Sequence, residues 1–267
     1  MRALVLLLCA GEPSSAVAAA PWTVSKRAAA VALPAGASLL RFTVQGEESV
    51  DFQVVLFAAD RCTLRVVDQP VKSSAGTLGA AMTRINAIAG VNGGFFSPEF
   101  APLGLVISQG KRVGSWQKSS LTSGTVVVRK GRLMLIWRDE FQDGPGITEL
   151  LQDGPGITEL LQTGPRLVNH GLAIKGLEVG RNRPRTFIAT DSEGHWLIGT
   201  AQYTSLAHLA QILAAPGLVP GLKVDRALNF DGGRSTGLWL RTAVGEVQYD
   251  EEISTVRNFV AVIPKGS

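Results

Sequence analysis

Cysteine and histidine are scarce in this sequence, and their scarcity excludes several kinds of site. The chain has two cysteines, Cys9 and Cys62, and three histidines among 267 residues. Cys9 falls in a segment that we expect to be removed, so Cys62 has no partner for an internal disulfide and is interpreted as a buried small hydrophobic residue. His170, His195 and His208 are dispersed and follow no metal-ligand spacing. We therefore predict no metal site and no cofactor.

Long runs of one residue class are also absent. Lys and Arg number 26 against 22 Asp and Glu, which gives a net charge of +4. The Lys and Arg residues are scattered along the chain and form no long basic run. This distribution does not call for a nucleic-acid partner. No phosphate loop of the Walker type and no nucleophile-elbow serine appears, and no apolar run is long enough to span a membrane. The mild basic excess suits an anionic substrate, although a solvated surface explains it equally well.

Residues 1–20 have the features of a secretory signal peptide. Arg2 supplies the positive charge, Ala3 to Ala10 the short apolar segment, and Ala18 to Ala20 the small residues of a cleavage site. We expect cleavage after Ala20 and a periplasmic or secreted protein. The alternative is an alanine-rich N-terminal tail that is never cleaved.

Short strands and glycine dominate the remainder of the chain. Residues 21–74 are expected to hold a loose leader as far as Gly36 and then β-strands, and residues 75–264 to form the main domain. Apolar residues follow helical spacing in two segments, Thr77 to Ile85 and Leu206 to Ala214. The pattern predicts a single α+β domain with a mixed or antiparallel sheet core and a few helices packed on it.

A tandem duplication lies within the main domain, at residues 142–161. The decapeptide from Gln142 to Leu151 is repeated without change from Gln152 to Leu161. Two copies are too few for a stacked repeat architecture. After the two copies the chain continues as Gln162 to Val168, a last, divergent version of the motif. We expect this last version to occupy the structural position and the earlier copy to bulge out as a surface insert.

Two glycine doublets carry the candidate chemistry. An apolar run leads to Asp231, which is followed by Gly232–Gly233, and a second run leads to Asn92, which is followed by Gly93–Gly94. Glycine permits positive φ and lets a ligand approach the main chain closely. We predict that the two doublets meet in space and frame one site. Asp-Gly and Asn-Gly are also strong signals for ordinary hairpins, so a plain-turn interpretation stays open.

Six motifs follow one another in an order that is typical of a known family. They are Val91–Phe96, Leu103–Val106, Gly164–Val168, Arg185–Ile188, Leu228–Ser235 and Arg257–Val260. On these motifs the chain resembles the phosphodiester glycosidase family, over roughly residues 75–264. It departs from the family pattern at Arg234, where a third glycine is common, and at Phe230, where leucine is common. The resemblance implies a secreted hydrolase of sugar-1-phosphodiester linkages, in a cell-envelope or extracellular polysaccharide.

The resemblance and the chemistry of this reaction give the site residues expected roles. Asp231 is predicted to be the nucleophile, base or electrostatic stabiliser for an anomeric carbon with oxocarbenium character. Arg185 is predicted to bind the phosphate, and Asn92 to contact sugar hydroxyls or to hold Asp231 in place. Backbone N–H groups of the doublets are expected to add donors to the phosphate. The expected substrate-binding residues are Gly93, Gly94, Phe95, Gly232, Gly233, Ser235 and Glu99, the last as a candidate second acid.

Two other interpretations of the same residues remain open. A non-catalytic envelope protein that binds an anionic glycan would need Arg185 but would tolerate Asp231→Asn. A purely structural envelope protein would use the doublets only as turns, and Asp231, Arg185 and Asn92 would then point to different places. The expected partner of the hydrolase, and of the glycan-binding protein, is a carbohydrate. The oligomeric state is not predicted.

Overall fold

The computed structural model describes residues 22–141 and 156–266. The predicted signal peptide with its cleavage site, and the first copy of the duplicated decapeptide, lie outside these residues. Within them two α-helices are present, α1 (Leu78–Arg84) and α2 (Leu206–Ala214). The rest of the regular structure is almost entirely strand, so the chain is more β-rich than the predicted α+β class.

The strands of the described residues form three sheets in which every pairing is antiparallel. The mixed sheet that we allowed for is therefore not found among them. In chain order the strands are β1 (Thr23–Arg27), β2 (Val31–Ala32), β3 (Ser38–Gln45), β4 (Ser49–Ala58), β5 (Cys62–Asp68), β6 (Ala89–Asn92), β7 (Val106–Ser108), β8 (Lys111–Val113), β9 (Gly124–Arg129), β10 (Arg132–Trp137), β11 (Ile157–Thr163), β12 (Arg166–Asn169), β13 (Leu172–Ala173), β14 (Arg183–Thr190), β15 (His195–Thr204), β16 (Arg226–Asn229), β17 (Leu238–Arg241), β18 (Val247–Asp250) and β19 (Asn258–Pro264).

One of the three sheets is larger than the other two, which have five strands each. Sheet A has nine strands in the order β1-β3-β4-β15-β14-β16-β12-β13, with β2 added to β3. Sheet B has the order β10-β9-β11-β7-β8, and sheet C the order β18-β17-β6-β19-β5. The strands β14 and β16 are neighbours inside sheet A, and β6 is central in sheet C, so the two glycine doublets follow inner strands of different sheets.

Sheet A is buried on both faces, as the sequence of β4 shows. Phe52 and Val54 contribute to the cluster of apolar side chains that includes Leu209 and Ile212 of α2. Val55 and Phe57, of the opposite parity, contribute to a second core shared with residues of sheets B and C. Because successive side chains of a strand point to opposite faces, apolar residues at both parities require cover on both faces.

The N-terminal segment is part of the fold, and the prediction of a loose leader is wrong for its described residues. β1 pairs with β3 through Val24 and Val44, and β2 adds a short pairing of Val31 with Leu39. Trp22 donates its indole N–H to Gln211 of α2 at 3.0 Å. Thr23–Arg27 contains one apolar residue, Val24, so its sequence carries no alternating strand pattern.

The second copy of the decapeptide contributes a strand to the core. Its half from Ile157 to Leu161 lies in β11, between β9 and β7, and Leu160 and Leu161 are buried. The chain then passes through a cis Gly164–Pro165 peptide into β12. The segment Gln162 to Val168 thus lies in the end of β11 and in β12, and half of the second decapeptide copy lies in β11 as well.

No helix in the described part of the chain combines the length and hydropathy that a bilayer crossing requires.

Candidate active site

The two glycine doublets meet, as predicted. The main-chain N–H of Asp231 donates to the carbonyl oxygen of Gly93 at 2.9 Å, and Asn92 Nδ2 donates to the carbonyl oxygen of Asp231 at 2.7 Å. The second of these bonds joins residues 139 positions apart along the chain. Both bonds connect the end of β6 in sheet C to the end of β16 in sheet A, so one junction holds both polar residues.

Asn92 is enclosed at this junction. Its side chain is fully buried, and Oδ1 accepts hydrogen bonds from the Thr186 hydroxyl at 2.6 Å and the Gly237 N–H at 3.3 Å. With Nδ2 on the Asp231 carbonyl, both ends of the amide are bound to protein. Of the two predicted roles, this geometry supports the one in which Asn92 holds Asp231 in place. Little hydrogen-bonding capacity of the amide is left for a sugar hydroxyl.

Asp231 is half-buried. Burial raises its pKa, while the Ser235 hydroxyl and the Gly232 N–H, which donates to Oδ1 at 2.9 Å, act in the opposite direction. No cation of the described residues is among the groups that shift this pKa. A half-buried carboxylate with a raised pKa is a candidate functional group.

Arg185 lies beside the Asp231 turn but directs its guanidinium elsewhere. Its Nε donates to the Thr204 carbonyl at 2.8 Å, and Nη2 donates to the Arg181 carbonyl at 2.6 Å and to Glu178 Oε2 at 3.2 Å. Burial lowers its pKa, and the ion pair with Glu178 opposes this effect. Its Cδ is 3.7 Å from where a Cβ on Gly232 would lie, so the stem supports the turn while the charged end binds the loop before β14.

The N–H groups of three of the four doublet glycines are occupied, which corrects their predicted use as phosphate donors. Gly93 N–H donates to the Asn258 carbonyl and Gly94 N–H to Asn258 Oδ1, each at 2.8 Å. Gly232 N–H is bound to the Asp231 carboxylate. The remaining N–H, that of Gly233, has no acceptor among the described residues.

Close packing explains why these positions are glycine. A Cβ on Gly93 would lie 2.0 Å from Asn258 Oδ1, and one on Gly232 would lie 2.8 Å from the Pro184 carbonyl oxygen. Gly233 has φ of +63°, a conformation that favours glycine. Gly93 therefore permits a close approach to β19, its neighbour in sheet C, and Gly232 a close approach to β14 in sheet A, while Gly233 supplies the turn that follows Asp231.

Glu99 and Phe95 are not brought to Asp231 by any contact in the described residues. Glu99 is exposed on the loop after β6, where the Ser97 hydroxyl lowers the pKa of its carboxyl. Phe95 is half-buried and its carbonyl accepts from Leu103 N–H at 2.9 Å. Glu99 as a second acid thus has no structural support.

Two arginines that sequence reasoning did not assign lie next to the Asp231 turn. Arg183 Cδ is 3.9 Å from where a Cβ on Gly233 would lie, and Arg234 follows within the 3₁₀ turn Gly233–Ser235. Both side chains are exposed. The sequence signals were present, since Arg183 belongs to the basic cluster 181–185 and Arg234 replaces a glycine of the family pattern.

The structure offers no metal site at this junction. In residues 22–141 and 156–266, no group of three or more His, Cys, Asp or Glu side chains is arranged to hold a metal ion. A cavity of about 600 Å³ lies at the opposite end of β14 and β16, where Arg132, Thr190 and Arg226 line it. Asp231, Asn92 and Arg185 do not line that cavity.

The family model of phosphodiester glycosidases matches residues 85–263. The chain belongs to the phosphodiester glycosidase family. The match lies within the predicted family region, 75–264, and includes both glycine doublets. A search of curated proteins finds no match.

Solved structures with a similar fold include a member of the same family. The catalytic domain of zebrafish N-acetylglucosamine-1-phosphodiester alpha-N-acetylglucosaminidase, auto-inhibited by its pro-peptide, is 14% identical, with a TM-score of 0.61 over 92% of this chain and 88% of that one. A hypothetical protein from Synechocystis is 16% identical, with a TM-score of 0.56 over 85% of this chain and 62% of that one. At these identities the likeness concerns the phosphodiester glycosidase fold.

Proposed function

We propose that this phosphodiester glycosidase family member hydrolyses a sugar-1-phosphodiester, with Asp231 as the residue that acts on the anomeric carbon. The observation that carries the proposal is the half-buried carboxylate of Asp231, held by Ser235 and Gly232 at the junction of the two glycine doublets. The exposed arginines beside the same turn supply positive charge for an anionic substrate. The carboxylate, the hydrogen bonds that hold it and the positive charge beside it together match the demands of a glycosyl phosphate.

The reaction breaks the bond between the anomeric carbon and the phosphate oxygen. The bonding electrons leave with the phosphate, and the sugar carbon gains oxocarbenium character that the ionised Asp231 stabilises. Water supplies the new oxygen at the anomeric carbon and releases one proton. A phosphate monoester is a good leaving group that departs as an anion, so the step needs no second carboxylic acid. This is consistent with the exposed position of Glu99.

Asn92 and Arg185 act as positioning residues in this proposal. Asn92 holds the main chain of Asp231 and is itself held by Thr186 and Gly237. Arg185 fixes the loop before β14 against Gly232. The two side chains therefore set the position of the carboxylate, while the sugar meets Asp231 itself.

The sugar and the compartment are also proposals. Because the zebrafish relative is named for N-acetylglucosamine-1-phosphodiester, we propose N-acetylglucosamine phosphodiesters as the first substrates to test. The signal-like residues 1–20 support a reaction outside the cytoplasm, where a cell-envelope or extracellular polysaccharide would be the source of such linkages.

A second candidate function is an anionic-glycan-binding module without turnover. It is favoured by one observation, that among the described residues no second carboxylate contacts Asp231. Such a module would bind the phosphodiester and release no sugar.

The test is the release of free sugar from methyl N-acetylglucosaminyl-1-phosphodiester by the purified full chain, with and without a chelator. Asp231→Asn keeps the size of the side chain and removes its charge. We expect it to lower kcat by at least about 100-fold, as loss of a charge-stabilising group does. Equal rates in the two proteins would remove Asp231 from the mechanism, and binding without release by the wild type would favour the glycan-binding module.

A further inference from the structure

We propose that Arg183 and Arg234 form a two-arginine clamp that binds the phosphate group of the substrate. The inference rests on the proposed function, because the phosphate is that of the glycosyl phosphodiester at Asp231. It gives these two residues the role that the sequence predicted for Arg185.

The position of the two residues is the first argument. Arg183 begins β14, and its Cδ approaches Gly233 to within 3.9 Å of a Cβ built there. Arg234 belongs to the 3₁₀ turn that follows Asp231 directly. Two separate elements thus bring arginines to the same Gly-Gly turn, Arg183 through the stem of its side chain and Arg234 through its main chain, and both side chains are exposed to an arriving ligand.

The unused hydrogen-bonding capacity is the second argument. Neither arginine forms an ion pair within the described residues. Arg234 makes one long hydrogen bond, from Nε to the Ser254 hydroxyl at 3.3 Å, and the Arg183 guanidinium has no side-chain hydrogen bond there. A guanidinium carries five N–H donors, which suit phosphate oxygens in bidentate geometry. The clamp therefore offers donors that the fold has not used.

The charge of the neighbourhood is the third argument. Arg181, Arg183 and Arg185 lie within five residues, and Glu178 is the acid that pairs with this group, through Arg185. Arg183 lies close enough to Arg185 to lower the pKa of its guanidinium. The like charges of this segment are therefore incompletely compensated, and an anion bound beside Arg183 would offset its repulsion with Arg185.

Arg185 is less suited to bind the phosphate than Arg183 and Arg234. Its Nε and Nη2 already donate to Thr204, Arg181 and Glu178. Its bond to the Arg181 carbonyl instead fixes the loop that leads to Arg183. The family pattern commonly has glycine at position 234, so one half of the clamp distinguishes this chain from the common pattern.

The experiment measures binding of inorganic phosphate and of N-acetylglucosamine 1-phosphate to the full chain carrying Asp231→Asn, by calorimetry at low salt. Into this background we introduce Arg183→Ala and Arg234→Gly. Each is expected to weaken both ligands about tenfold, with a smaller dependence of affinity on salt. Arg183→Lys keeps the charge without the planar fork and is expected to recover part of the loss.

The matched control is Arg132→Ala, which removes an equal charge at the far cavity. It is expected to leave both affinities unchanged. Unchanged affinities in Arg183→Ala and Arg234→Gly would overturn the clamp. So would an equal loss in the Arg132 control, or failure of the background protein to bind either ligand at millimolar concentration.

Failure of the proposed function gives a different result. If the wild type releases no sugar while the two arginine variants lose phosphate binding, the clamp stands as an anion site and the hydrolytic reaction falls.

Discussion

At the scale of single residues, the account depends on Asp231 being ionised while it is half-buried. Burial raises its pKa, and the hydrogen bonds from Ser235 and Gly232 keep the ionised form accessible. Loss of either bond should make the proton harder to remove. The Ser235 hydroxyl can be removed by a substitution that deletes one oxygen atom, so it offers the sharper test.

Ser235→Ala is expected to raise the pKa of Asp231, because a donor to the carboxylate is lost and burial is unchanged. An enzyme that needs the ionised form loses activity as pH falls through that pKa. The acidic limb of the kcat/KM profile should therefore move to higher pH. The measurement is the pH–rate profile of wild type and variant on the same phosphodiester.

The neighbouring Thr236 provides a matched control for that profile. Its buried hydroxyl has no hydrogen-bond partner among the described residues, so Thr236→Val removes a hydroxyl without removing a bond. Its acidic limb should coincide with that of the wild type. A Ser235→Ala profile that coincides as well, or one displaced to lower pH, would contradict the assigned role of the hydroxyl.

At the scale of elements, a buried glutamate joins sheet B to sheet C. Glu159 of β11 is 6% exposed, and its Oε2 accepts from Val66 N–H of β5 at 2.9 Å and from Gln109 N–H at 3.4 Å. Burial raises its pKa from 4.5 to about 7, against the effect of both donors. The native state therefore holds a proton that the unfolded chain releases near pH 4.5.

This shift predicts how stability depends on pH. The contribution of Glu159 is fully present below about pH 4.5 and is lost as pH rises through about 7, by about 3 kcal/mol at most. Glu159→Gln should abolish that part of the slope in urea unfolding between pH 4.5 and 7. Glu193→Gln, at an exposed position, should keep the wild-type slope. Identical slopes in wild type and Glu159→Gln would show that the carboxyl titrates normally.

Both helices and several of the strands could be predicted from the sequence. The helical spacing of apolar residues located both helices. Ser205 caps α2, where its hydroxyl accepts from the His208 N–H at 3.1 Å. The strands β3, β4, β5, β9 and β10 follow their apolar runs. The sequence did not reveal β1, β2, β8, β12, β13 and β18, which are short and lie at or near sheet edges, where pairing partners rather than residue propensity decide.

The candidate site was predicted in outline for a physical reason. A glycine doublet after an apolar strand marks a close approach, and the contact of Asp231 with Gly93 confirms that the two doublets meet. Which way Arg185 points could not be predicted, because Glu178 and the Thr204 carbonyl that bind it lie in other segments. The same limit hid Asn258, whose main chain and side chain occupy the N–H groups of Gly93 and Gly94.

At the scale of the whole molecule, all three sheets meet around Asp231. Sheet C contributes Asn92 and sheet A the carboxylate itself. From sheet B, the Thr163 hydroxyl donates to the carbonyl of Asn229, two residues before Asp231, at 3.3 Å. The junction is thus fixed from several directions before any ligand arrives, which is the pre-organisation that catalysis requires.

The most direct test of this account is a crystal structure of the full chain with N-acetylglucosamine 1-phosphate. The account predicts the anomeric carbon within about 3.5 Å of an Asp231 carboxylate oxygen. It also predicts the phosphate in contact with Arg183 and Arg234. A ligand bound instead in the far cavity beside Arg132 and Arg226, or one that binds with its anomeric carbon remote from Asp231, would contradict it.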